Sequence, residues 1–194
     1  MRRTTAAFVA LAALDTLLAA AGREKERHAT KPLLMPTLQV GKDRATKRAL
    51  GLGTAGDVAL LGHSDAAFTA GLGSFLAGHV AWMRAIRGRG ATGFLRQRPW
   101  AAAPYLAAFV GLNGYLWSRT GKDRVPVLVY SAALLGTGLV ALDSGNPKTA
   151  AGGALFMVSD SLLALERFGD VHLPAHEGWV MATYTSAQGL LAAE

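Results

Sequence analysis

Residues 149–165 read TAAGGALFMVSDSLLAL, from Thr149 to Leu165, with Asp160 as the only charged group. A run this apolar has the character of a membrane helix, and an ionisable group inside it is costly unless it faces a partner or water. The same pattern repeats along the chain. Thr4 to Ala21 is apolar except for Asp15, Ala29 to Val40 after Lys31, Ala49 to Leu61 except for Asp57, and Ala66 to Met83 except for His79. Pro99 to Ser118, Val125 to Leu142 and Gly178 to Ala193 complete the set. Charges collect in short islands between these stretches, as they do in membrane proteins.

The whole composition agrees. Hydrophobic residues are 51% of the 194, and the 23 glycines raise the apolar share to about 63%, against about 45–50% for soluble domains counted the same way. Only 17% are charged. Low aromatic content with abundant Ala and Gly suits closely packed membrane helices. With no cysteine, disulfide scaffolds, thiolate nucleophiles and cysteine metal sites are excluded. The expected fold is therefore all-α: a polytopic transmembrane helix bundle of about eight spans, forming one domain over residues 1–194. Ala29–Val40 and Ala49–Leu61 are short for a crossing, so six spans with two re-entrant pieces is the alternative.

Met1-Arg2-Arg3 and Ala19-Ala20-Ala21 outline a cleavable signal, but the apolar stretch is long for a signal core and another hydrophobic segment follows, so it is read as a retained span. With eight spans, the N-terminus and the loops on its side carry 12 Lys and Arg against 8 on the other. This predicts both termini in the cytoplasm, in the inner (plasma) membrane. The same basic loops account for the net charge of +7 without any nucleic-acid partner. Arg84 to Arg98, with five arginines and three glycines, is expected to be a flexible loop near anionic lipid headgroups.

Lys31, Asp57, His79 and Asp160 are the polar groups that stand out inside the expected spans. Gly51, Gly53 and Gly56 around Asp57 would let another helix approach closely. Gly71, Phe75, Gly78, His79 and Trp82 share one helix face, and Tyr184 and Gln188, four apart, share another.

Lys31-Pro32-Leu33, Gly56-Asp57, Phe75 with Gly78-His79, Pro126 and Tyr130, Gly153-Ala154 with Phe156 and Ser159-Asp160, and Thr183-Tyr184 with Ala187-Gln188 resemble the YhhN family of multi-pass membrane proteins, in order and over nearly the whole chain. The departures are a glycine-rich third span and Thr185, where many relatives carry a second tyrosine. The resemblance implies hydrolysis of the vinyl-ether bond of lysoplasmalogens, or of a related lysolipid, to a fatty aldehyde and a glycerophospho-alcohol. Such chemistry needs a proton donor, a base for water and negative charge near an oxocarbenium ion, which two carboxylates in a poorly solvated cavity supply. Asp57 and Asp160 are the expected pair, general acid and water-activating base in either order. His79, Tyr130, Tyr184 and Gln188 are expected to position water or the ether oxygen, and Lys31 to meet the phosphate.

Each residue also has a plainer reading. An intramembrane Asp can simply pair with Lys31 and hold helices together, His79 can be a packing group, and Ser159 is expected to bond back to its own helix. The buried Lys, Asp and His could instead serve a proton- or ion-coupled transporter. His63-Ser64-Asp65 lists triad residues, but adjacent residues cannot adopt triad geometry. His172, His176 and Glu177 match no metal motif, and neither a metal nor an organic cofactor is called for. The expected partners are a lysophospholipid substrate and the surrounding membrane lipids; the oligomeric state is left open, and Asp15 is not assigned to the site.

Overall fold

A computed structural model describes residues 2–62 and 64–193, with the Arg2 side chain left undescribed. Among these residues there is no strand. The α-helices are α1 Arg2–Ala20, α2 Glu24–Gln39, α3 Arg44–Ala59, α4 Asp65–Gly88, the short α5 Phe94–Gln97, α6 Ala103–Leu116, α7 Arg124–Asp143, α8 Pro147–Gly169 and α9 His176–Leu191. Single 3-10 turns, Pro99–Ala102 and Gly121–Asp123, lead into α6 and α7.

The eight longer helices coincide with the eight apolar stretches. Their boundaries follow local chemistry. Asp43 caps α3 by accepting from the Ala45 and Thr46 amides, Ser64 caps α4 through the Ala67 amide, and Asn146 followed by Pro147 opens α8. All but the last one or two residues of Ala29–Val40 and Ala49–Leu61 lie in unbroken 16-residue helices, extended at their starts by charged turns. At 1.5 Å per residue each is about 24 Å long, short of the roughly 30 Å hydrocarbon core. Among the described residues, two segments, Arg3–Ala20 and Gly121–Asp143, are long and apolar enough to cross a bilayer by length and composition.

Adjacent contacts run α1 to α2, α2 to α3, α3 to α4, α4 to α7, α7 to α8, α8 to α9, and α9 back to α1. The result is a closed ring of seven helices, with α6 outside it against α7 and α8. Small residues permit the close pairs. A Cβ on Gly56 would lie 2.6 Å from the Phe75 ring, so only glycine there lets α4 lay this ring on α3. Leu34, Met35, Leu50, Trp82 and Phe156 fill the interior.

The segment expected to be a flexible loop, Arg84 to Arg98, is largely structured. α4 continues to Gly88 because Ala85 and Ile86 are buried, while Arg84 and Arg87 extend outward on long apolar stems. Arg89 then donates to the Leu191 carbonyl and to Thr46 Oγ1, both at 2.7 Å, tying the end of α4 to α3 and α9. Asp143 accepts from the Leu95 amide at 2.8 Å and holds α5 against α7.

Candidate active site

The polar groups picked out along the chain meet inside the ring. Asp57 on α3 is 2% exposed. Its Oδ2 accepts from the Tyr184 hydroxyl of α9 at 2.8 Å, and its Oδ1 lies 3.7 Å from Lys31 Nζ of α2. Across the interior, Asp160 on α8 accepts a short hydrogen bond from the Tyr130 hydroxyl of α7. His79 of α4 joins them, with Nε2 3.1 Å from the Tyr130 oxygen and 3.6 Å from Asp160 Oδ2.

Aromatic rings bridge the two halves. Phe156 packs against His79 at 4.7 Å and against Tyr184 at 5.6 Å, centroid to centroid, and Phe75 closes on Tyr184 at 6.0 Å. A continuous set of contacts thus runs Lys31, Asp57, Tyr184, Phe156, His79, Tyr130, Asp160 across the bundle. The two carboxylates are not hydrogen-bonded to each other; each has its own phenol donor and its own basic neighbour.

The supporting contacts are specific. Trp82 donates its indole N–H to Gln188 Oε1 at 3.1 Å, and both residues are buried. A Cβ on Gly53 would stand 3.2 Å from the Tyr184 hydroxyl and 3.3 Å from Gln188 Nε2, so this glycine leaves room for both. Thr137 Oγ1 donates to the His79 backbone carbonyl at 3.3 Å. His79 Nδ1 is buried and has no hydrogen-bond partner among the described residues, leaving one ring nitrogen uncommitted.

Two cavities adjoin the site. A polar one of about 460 Å³ opens where α2, α3, α4, α8 and α9 end near one face, and Arg27, Lys31, Arg167 and Glu177 line it. A narrow apolar one of about 60 Å³ lies between α4, α6, α7 and α8, with Tyr130 and Asp160 on its wall. Leu60, Phe68, Leu163 and Arg167 border both, so the two share a partition. Asp160 therefore faces the apolar space, whereas Asp57 sits behind Lys31.

The remaining candidates resolve individually. Ser159 does not bond back to its own helix: its hydroxyl donates to the Val180 carbonyl of α9 at 3.1 Å, because the tight α8 and α9 pairing offers that carbonyl. His176 bonds the Leu162 carbonyl at 2.9 Å, and Glu177 pairs with Arg27. Ser64 is a helix cap and Asp65 pairs with Lys122 at 2.6 Å, while His63 lies outside the described residues.

Asp15 stands out in the sequence without an assigned place, and nothing in the sequence singles out Arg27 and Thr30 beside it. Asp15 is fully buried, accepts from Thr30 Oγ1 at 2.5 Å and lies 3.7 Å from Arg27. Trp82 was visible only as one member of a helix face. An arginine beside a span end reads as a loop charge, and the available signal was Asp15 itself, an intramembrane acid in need of a cation.

Comparison with known proteins adds independent information. Residues 5–194 match the model of the YhhN family. Proteins named lysoplasmalogenase from Mycobacterium bovis and from Mycobacterium tuberculosis are each 34% identical to the chain over 135 residues, covering 66% of this chain and 50% of theirs. The chain spans about half the length of these curated relatives. No solved structure matches it.

Proposed function

Because the chain belongs to the YhhN family, we propose that it is a membrane-embedded hydrolase that cleaves the vinyl-ether bond of a lysoplasmalogen or a related lysolipid. The observation that carries this reading is the pair of carboxylates in a buried ring interior, one facing an apolar cavity and the other paired with a lysine at a polar mouth. The lysoplasmalogenase name of the two mycobacterial relatives supports the reaction class.

The bundle is read as spanning the membrane with eight helices, both ends cytoplasmic. Its outward surface supports this: Leu17, Leu33, Val58, Val110, Val129 and Val158, from six different helices, are exposed large hydrophobics, as a lipid-facing bundle requires. The 14-residue α6 lies between Arg98 and Arg119, and the 16-residue α2 between Arg23 and Lys42, long side chains that reach an interface beyond the helix ends.

In the reaction, Asp160 protonates the β-carbon of the vinyl ether lying in the apolar cavity, and the double-bond electrons form the new C–H bond. The α-carbon becomes an oxocarbenium ion. Asp57, with Lys31 as counter-cation, supplies negative charge on the opposite side and takes a proton from the water that adds to this carbon. The hemiacetal then collapses: its C–O bond to glycerol breaks, the leaving oxygen takes the proton held by Asp57, the hemiacetal O–H proton passes to Asp160 and restores the acid, and the fatty aldehyde separates from the glycerophospho-alcohol. Tyr130 and His79 orient Asp160, Tyr184 and Gln188 orient Asp57, and Lys31 meets the phosphate.

The test uses purified protein in detergent with two lysolipids that differ only in the vinyl-ether double bond. Aldehyde is expected from the vinyl ether, and none from its saturated ether counterpart, which cannot be protonated to an oxocarbenium ion. Absence of aldehyde from the vinyl ether would overturn the proposal.

A further inference from the structure

The mechanism leaves one buried charged cluster unused. Arg27 is 6% exposed, yet it lines the polar mouth. Behind it stands Asp15, fully buried, fixed by Thr30 and 3.7 Å from the guanidinium. On its other side it pairs with Glu177, whose side chain is 46% exposed. Burying an ion pair costs more desolvation than apolar packing would, so such a pair is a weak source of stability and points to another use.

The geometry suits a phosphate ester. Arg27 and Lys31 are one helical turn apart on α2 and share its mouth-facing side. Arg167, third of the lining cations, sits 3.7 Å above the Phe68 ring at the border with the apolar cavity. It is seven residues, about 10 Å along α8, from Asp160, a separation that a glycerol phosphate bridges. Glu24, Glu166 and Glu177 balance these cations around the mouth. Glu177 engages Arg27 directly, and its exposure gives it water to move into.

Resting on the lysolipid reading above, we infer that Arg27 is the residue that selects a phosphorylated amphiphile: Asp15 holds its guanidinium in place, Glu177 occupies it in the absence of substrate, and the substrate phosphate displaces Glu177. A planar guanidinium fixed from behind binds phosphate through paired N–H donors, which a single lysine cannot do. Asp15 is a positioning residue acting through Arg27.

The experiment compares a lysoplasmalogen with the matching 1-alkenylglycerol, which lacks the phosphate, for wild type, Arg27→Gln, Arg27→Lys and Glu177→Gln. Arg27→Gln is expected to reduce the kcat/KM preference for the phosphorylated substrate about tenfold or more, through KM, with Arg27→Lys recovering part of it. Glu177→Gln should lower KM for the phosphorylated substrate several-fold, since the competing carboxylate is neutralised. An unchanged preference in Arg27→Gln, or an unchanged or raised KM in Glu177→Gln, overturns the inference. Should Arg27→Gln not fold, the Glu177→Gln result decides alone. If the wild type cleaves neither substrate, the reaction assignment fails separately. Binding of a saturated 1-alkyl lysophospholipid against 1-alkylglycerol then decides the inference: a phosphate preference lost in Arg27→Gln supports it, and its persistence overturns it.

Discussion

A methyl group at position 53 measures how closely the site is assembled. In Gly53→Ala the new Cβ stands 3.2 Å from the Tyr184 hydroxyl and 3.3 Å from Gln188 Nε2, so both must shift by a few tenths of an ångström. Because Tyr184 donates to Asp57, that shift reaches the carboxylate, and kcat/KM should fall about tenfold while the fold is retained. Steady-state rates beside a thermal melt would check this, and an unchanged rate would show that the Tyr184 contact is dispensable. At this scale much was legible. Lys31, Asp57, His79 and Asp160 stood out because an ionisable side chain in an apolar run is costly, and they converge as that cost demands. Phe156 as the bridge between the two halves was not legible, since an aromatic ring in an apolar helix carries no cost to mark it. Arg27 and Asp15 lie on different helices, so no spacing rule joins them.

Helix ends show where charge and structure part company. Apolar stretches stop at the first lysine or arginine, but α2 and α3 begin in charged turns, and α4 runs past Arg84 and Arg87 to Gly88. Polar heads reach the surface while the stems stay packed, so charge marks exposure and not the end of the helix. Pro32 and Pro36 likewise sit inside α2 without dividing it. The caps make a separate prediction. Asp43, in the turn before α3, accepts from Thr46 Oγ1 and from the Thr46 and Ala45 amides, and these hydrogen bonds push its pKa down to about 2. Its folded-state pKa is lowered, so its contribution is present above the ordinary aspartate range near 4 and is lost as pH falls towards 2. Asp43→Ala should cost about 1 kcal/mol at neutral pH, and the gap from wild type should close under acid conditions. Denaturation curves at stepped pH test this; a gap that widens in acid would contradict it.

The molecule as a whole is a seven-helix ring with α6 outside it, and the closure could not be read along the chain, because it depends on α4 pairing with α7 and α9 with α1. The helical class was legible in the apolar stretches, whereas the number of crossings was not, because four helices of 14–16 residues are shorter than the hydrocarbon core. The chain has no cysteine, so single-cysteine reporters need no background removal. In sealed cells, Ala91→Cys, in the loop after α4, should react with an impermeant thiol reagent only after lysis, and His172→Cys, between α8 and α9, before it. Labelling of both from the same side would refute the proposed topology. The ring matters because it brings Asp57 and Asp160 from α3 and α8 into one interior, where these carboxylates are proposed to perform the hydrolysis. The most direct measurement is aldehyde release from a lysoplasmalogen by wild type, Asp57→Asn and Asp160→Asn at matched folded concentration. The wild type should release aldehyde, and each variant should lose about 100-fold or more of that activity, as removal of a general acid or base entails. An active Asp160→Asn or Asp57→Asn enzyme, or a silent wild type, would contradict this proposal.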